Sequence, residues 1–293
     1  MSLPLLLPLL AGIGYATAAL VIKRASEFGV GVWRTAFVAN VVGALVFQPL
    51  WLLGGSLLPD LWWQPVVVSV LFTAGNWLSF MAIDRGDVSV VAPVLGLKIL
   101  LVAVIVTVFA GAQLRWQLWA AAALASLGIA LLNQSGGRTA HHDGVRTIIT
   151  AGLAAAVFAV FDVLVQQWAP AWGLGRFIPL VMGVSGVLSI GFIPRFRAPL
   201  AAIPRPAWPW LLVGSVALGV QSMLFVSTVA TWGQAAPANV LYSSRGLWSV
   251  LLVWAFGHWV KSREQHLGRR VLVSRLAGAI LMMSAIVLVL VRS

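Results

Sequence analysis

Apolar residues run along this chain in blocks of roughly 18–25, separated by short polar connections, and a block of that length coiled as a helix crosses about 30 Å of hydrocarbon. Ten blocks stand out, at roughly 3–22, 30–53, 64–83, 88–110, 115–133, 147–167, 174–194, 208–230, 236–258 and 273–291. Apolar and polar positions do not alternate within them, so they predict helices and not the strands of a barrel. The longest connections, near 134–146, 195–207 and 259–272, are too short to hold a separate soluble domain. The first block starts almost at Met1, but no basic stretch precedes it and no convincing small-residue cleavage site follows. It is expected to be a retained helix, not a signal peptide.

Composition agrees with that pattern. Of 293 residues, 61% are hydrophobic and 9% charged, against about 45–50% and about 25% in a soluble domain. The expected fold class is therefore all-α integral membrane, with ten transmembrane helices. Cysteine is absent, which excludes disulfides and thiolate metal sites. The net charge of +12 could point to nucleic acid. The basic residues sit in short loops, however, and form no basic domain, so no nucleic-acid partner is expected. Most Trp residues, among them Trp62, Trp63, Trp168, Trp172 and Trp259, fall at or near segment ends, where an aromatic belt would place them. Trp77 and Trp248 fall inside their segments.

Loop charge predicts orientation. The connections after segments one, three, five, seven and nine carry Lys23, Arg24, Arg85, Arg138, Arg146, Arg195, Arg197, Arg205, Lys261, Arg263, Arg269, Arg270 and Arg275, and Arg34 lies near the same side. The opposite side has Arg115, Arg176 and Arg292. This bias puts the odd connections in the cytoplasm and both termini outside, in the inner (plasma) membrane of a bacterium.

Ten helices divide into five and five, and halves with an odd helix number are inverted relative to each other. Segment four is entered by AIDRGDVSVVAPVLGLKILLV and segment nine by VATWGQAAPANVLYSSRGLWSV. Gly86 falls on Gly233 and Lys98 on Arg245 at the same offset of 147 residues. Asn76 and Gln221, Arg34 and Arg176, and Gly128 and Gly278 follow at nearly the same spacing. The constant order predicts a duplication, residues 1–135 and 136–293, as two inverted five-helix repeats.

Lys98 and Arg245 carry the most chemistry. A basic side chain at the centre of a membrane helix costs at least about 2.5–3.5 kcal/mol on insertion scales, so it persists only by facing a polar cavity, a partner or a ligand. Inverted repeats bring such matched positions face to face near the midplane. Two cations there would bind an anion, Arg as a planar fork and Lys as a compact charge. Internal pairing with Asp162 and a proton-linked Lys98 are the alternatives. Pro93, one turn before Lys98, removes a backbone donor and frees a carbonyl. Asn76, Gln221, Tyr15, Asn239, Tyr242 and Ser243 would complete a polar lining, with Trp77 and Trp248 as walls. Each could equally make a plain interhelical hydrogen bond. Asp162 sits nearer one end of its segment, beside Gln166 and Gln167, where it either couples transport to a proton or faces headgroups. His141, His142 and Asp143 lie in a loop without further ligands, so no metal is expected. No phosphate-binding Gly-rich loop and no catalytic set appears, so neither cofactor nor enzyme activity is expected.

GDVSVVAPVLGLK entering segment four and GQAAPANVLYSSR entering segment nine, within ten short-looped helices, resemble the drug/metabolite transporter superfamily, specifically its EamA-like branch. The likeness covers nearly the whole chain. It implies secondary transport by alternating access, with a site between the halves, and cytoplasmic termini, opposite to the charge count. Phosphate-exchanging plastid members hold phosphate with basic residues on helices four and nine, and Lys98 and Arg245 are similar in helix and depth. The expected function is transport of a small organic anion (a carboxylate, amino acid or phosphorylated metabolite). A proton or counter-substrate is the expected coupling partner, and lipid the surroundings. The alternatives are efflux of amphipathic amino acids or drugs, and a non-transporting, lipid-handling membrane protein.

Overall fold

The computed structural model describes residues 3–85, 88–109, 111, 113–132, 144–256 and 269–291. His141, His142, Asp143 and Trp259 lie outside these residues. The first half holds α1 (Leu3–Ser26), α2 (Val32–Phe47), α3 (Trp63–Arg85), α4 (Val88–Gly96), α5 (Lys98–Phe109) and α6 (Trp116–Leu132). The second holds α7 (Gly144–Trp172), α8 (Leu174–Leu188), α9 (Ala207–Trp232), α10 (Ala235–Tyr242), α11 (Arg245–Phe256) and α12 (Arg269–Leu290). Eight stretches of the described residues are long and apolar enough to span a membrane, and the shorter Trp116–Leu132 is apolar too.

Two of the ten expected helices are interrupted among the described residues. Segment four breaks at Leu97 and segment nine at Ser243-Ser244. Local hydrogen bonding explains both. The Leu97 N–H turns back to the Val94 carbonyl, a tight three-residue closure, and the Ser126 hydroxyl of α6 donates to the Gly96 carbonyl at 3.1 Å. In segment nine the Ser244 N–H bonds the Leu241 carbonyl, and the Ser243 hydroxyl donates to the Val240 carbonyl at 2.6 Å. Serine hydroxyls that bond back to the chain disfavour a regular helix. Pro93 lies inside α4, four residues before the interruption at Leu97.

The breaks obey the repeat. Val88 and Ala235, which open α4 and α10, and Lys98 and Arg245, which open α5 and α11, keep the spacing of 147, and Phe109 and Phe256 close α5 and α11 at the same spacing. The packing does too. α1 lies on α9 as α7 lies on α3; α1 touches α10 and α11 as α7 touches α5 and α4; α2 meets α8, and α6 meets α12. Exchanging the halves maps this contact set onto itself, as the inverted repeat requires. At the α6–α12 crossing, a Cβ on Gly128 would stand 2.9 Å from the Gly278 carbonyl oxygen, and one on Gly278 would stand 2.8 Å from that of Gly128. Only glycine lets the two backbones meet this closely.

The helices α2 and α8 begin alike. Gly31 (φ 77°, ψ 147°) and Gly173 (φ 79°, ψ 150°) precede them in a region of backbone space that is essentially glycine-only. Three residues on, Arg34 donates to the Val30 and Gly29 carbonyls, and Arg176 donates to that of Trp51.

Two expectations are corrected here. The sixth segment does not end at 167, because α7 continues to Trp172. The Gln166 side-chain oxygen Oε1 accepts the N–H of Ala235 at 2.9 Å, so this polar residue caps α10. Asp162 therefore lies well inside the fold, 1% exposed, away from headgroups. Trp172, expected in an aromatic belt, is fully buried, with its indole N–H on the Gln64 side chain at 3.0 Å.

Candidate functional site

The two interruptions face each other across a cavity of about 20 Å³, room for about one water. Leu95, Gly96 and Lys98 form one side, and Tyr242, Ser243 and Arg245, at the same spacing of 147, form the other. Asn239, Ile99 and Ile129 complete the wall. The two halves thus close on a point near the middle of spans four and nine, as discontinuous helices do in secondary transporters.

Each cation has a different environment. Lys98 Nζ lies 2.7 Å from Asp162 Oδ2, a contact between α5 of one half and α7 of the other. The Asn239 side-chain amide donates to the same carboxylate oxygen at 2.6 Å and to the Ala235 carbonyl at 2.9 Å. Phe225 and Phe158 lie 5.4 and 5.6 Å from the ammonium. Arg245 has no carboxylate partner among the described residues. Its guanidinium rests between two phenol rings, 4.7 Å from Tyr15 and 4.6 Å from Tyr242. Tyr242 is held in turn by its hydroxyl, which donates to Gln221 Oε1 at 2.9 Å, and by the Phe225 ring at 4.7 Å.

The structure brings Lys98, Arg245, Asp162, Asn239, Tyr242, Ser243, Tyr15 and Gln221 together. It does not bring in the rest. The Asn76 amide donates to Asn40 at 3.3 Å. Trp77 stacks with Trp33 and Phe192 under the Arg195 guanidinium, a separate aromatic cluster. Trp248, one turn beyond Arg245, is not part of the cavity wall. Asn76, Trp77 and Trp248 lie off the wall of this cavity. Asn40, a small polar side chain one helix away, offered Asn76 a nearer partner, and Trp77 buries its ring among other aromatics.

Four contributors are absent from the sequence reading. Phe225 follows Gln221 by four residues and so shares its helix face, a signal that was available. Phe158 stands in the same relation to Asp162. Ser126 and Gly12 had none. A Cβ on Gly12 would stand 2.6 Å from Ser244 Oγ, so its lack of side chain lets α1 lie against the break. Ser244 Oγ itself is buried with no hydrogen-bond partner among the described residues.

Fold and site together define a multi-pass membrane protein of inverted-repeat design with a charged centre between its halves. No curated protein matches the chain. Residues 2–134 match the EamA-like transporter family, of the drug/metabolite transporter superfamily, a family of membrane transporters and not of enzymes. A solved structure titled only "Crystal structure of protein" is similar over 99% of this chain and 98% of its own, with a TM-score of 0.78 and 16% identity. That likeness shows the shared fold.

Proposed function

We propose that this transporter carries a small organic anion (a carboxylate, amino acid or phosphorylated metabolite) by alternating access, with Arg245 as the anchor. The observation that carries the reading is Arg245 itself, on the cavity wall between two rings and without a carboxylate partner among the described residues. Ring faces offset a cation's lost hydration by about 0.5–2 kcal/mol. A carboxylate or phosphate would do more, through two parallel hydrogen bonds to the fork. Lys98 is engaged by Asp162 and sets the field around the anchor. Asn239, Tyr242 and Ser243 read the rest of the substrate, with Gln221 and Tyr15 holding the rings in place.

Residues 1–135 and 136–293 are the two repeats that rock against each other. The Lys98–Asp162 pair crosses between them, which makes it the contact that coupling to a proton or counter-substrate would remake. The aromatic rings at the centre favour a second reading, efflux of amphipathic solutes with the cations in a supporting role.

Thermal stabilisation of the purified protein by a panel of carboxylates, phosphate esters and apolar cations separates the two, since a ligand that binds only the folded state raises apparent stability. Arg245→Gln is expected to weaken anion stabilisation by about tenfold to a hundredfold, the scale of a charged hydrogen-bonded contact. Stabilisation by apolar cations alone, unchanged in Arg245→Gln, would replace the anion reading with efflux.

A further inference from the structure

Lys98 and Arg245 are 147 residues apart, and so are the residues that face them: Asp162 opposite Lys98, and Tyr15 opposite Arg245. Each pair joins the interrupted span of one half to the first span of the other. They are one contact built twice, with different chemistry in the two copies. In one copy the first span presents a carboxylate 2.7 Å from the cation; in the other it presents a phenol ring at 4.7 Å. The carboxylate is also held in place by Asn239 at 2.6 Å, and the position 147 residues earlier is Ala92, which has no such amide.

The charge at the centre follows from this asymmetry. Lys98 and Arg245 contribute two positive charges, and Asp162 contributes one negative charge. The other described acids, Glu27, Asp60 and Asp84, lie in loops or at helix ends. The site therefore presents one net cation. A monoanion on Arg245 brings it to neutrality, whereas a dianion leaves one negative charge uncompensated in a low-dielectric interior, where such a charge is costly.

We propose, resting on the anion-carrier reading above, that the substrate is a monoanion and that Asp162 determines this specificity by holding Lys98 neutralised. Tyr15 is the converse position. A ring there leaves Arg245 free for substrate, and an acid there would cancel it. With Asp162 replaced by an amide, both copies of the contact present a free cation, and a dianion that spans Lys98 and Arg245 matches the site.

The test is thermal stabilisation of the full chain at pH 8 by two probe pairs, butyrate against succinate and dimethyl phosphate against methyl phosphate. Each pair holds chemistry constant and changes charge. In the wild type the monoanion of at least one pair stabilises at a concentration lower by on the order of tenfold than its dianion. Asp162→Asn reverses that order. Tyr15→Asp, which serves also if Asp162→Asn does not fold, abolishes stabilisation by every probe, and Tyr15→Phe keeps the wild-type preference. An unchanged order in Asp162→Asn, a wild-type preference for dianions, or retained binding in Tyr15→Asp would overturn the proposal and leave the anion reading standing. A wild-type protein stabilised by no probe of either pair would remove the anion reading itself, and the proposal with it.

Discussion

Two cations with the same place in the repeat have acquired different partners, and the difference sets what each can do. Lys98 is committed to Asp162, whose side chain is 1% exposed. Removing one member of such a pair is far costlier than replacing both. Lys98→Met is accordingly expected to lower stability by about 3 kcal/mol, and the double variant Lys98→Met with Asp162→Leu to recover most of it. Thermal unfolding in detergent reads both. A loss in the double variant equal to the sum of the losses in Lys98→Met and in Asp162→Leu alone would show that the pair contributes no coupling. Arg245 behaves otherwise: it has rings for neighbours, and its loss should fall on ligand binding more than on stability. The cations themselves were legible in the sequence, because charge inside an apolar run is conspicuous. Their partners were less so. Asp162 drew notice as a rare acid, but the neighbouring Gln166 and Gln167 suggested a membrane boundary where the structure has a cap on α10. The Asn76 amide donates to Asn40 at 3.3 Å, a partner that its position in the segment does not indicate. A polar residue's partner depends on helix rotation, which a nearly uniform apolar segment leaves undetermined.

Among the elements, the interrupted spans were hidden for a similar reason. Hydropathy sees one apolar run over 88–110 and another over 236–258, and a tight turn at Leu97 or Ser243 leaves the run's composition unchanged. The repeat was legible instead, because offsets survive where propensity is silent. The spacing of 147 that relates Lys98 to Arg245 also relates the starts of α4 and α10 and the ends of α5 and α11. Glycines carry the remaining element-level constraints. At Gly31, a Cβ would meet nothing within 4 Å, yet φ is +77°. Gly31→Ala is thus a clean measure of backbone strain, expected to cost about 1–3 kcal/mol in thermal unfolding. Gly278→Val tests packing, since its Cβ would lie 2.8–2.9 Å from backbone atoms of Gly128 and Leu132. A loss of about 1–3 kcal/mol or more is expected there, and a neutral result would show that α6 and α12 separate without cost.

For the whole molecule, the span count and the all-α membrane class followed from run length alone, the signal least dependent on detail. Orientation rests on loop charge. The chain has no cysteine, so single introduced cysteines report sidedness without background. Cysteine at Ser26 or Arg197 should be labelled from the cytoplasm, and at Ser56 or Arg115 from outside; the reverse pattern would put both termini in the cytoplasm. Alternating access requires inward and outward states within a few kcal/mol of each other. The small cavity enclosed between the halves is consistent with a site that both states share. The most direct measurement is counterflow in sealed proteoliposomes preloaded with an anion that stabilises the purified protein. The wild type is expected to accumulate the labelled anion transiently, driven by exchange, and Arg245→Gln to accumulate none while keeping its fold. Accumulation that is undiminished in Arg245→Gln would contradict a central anion site anchored by that residue.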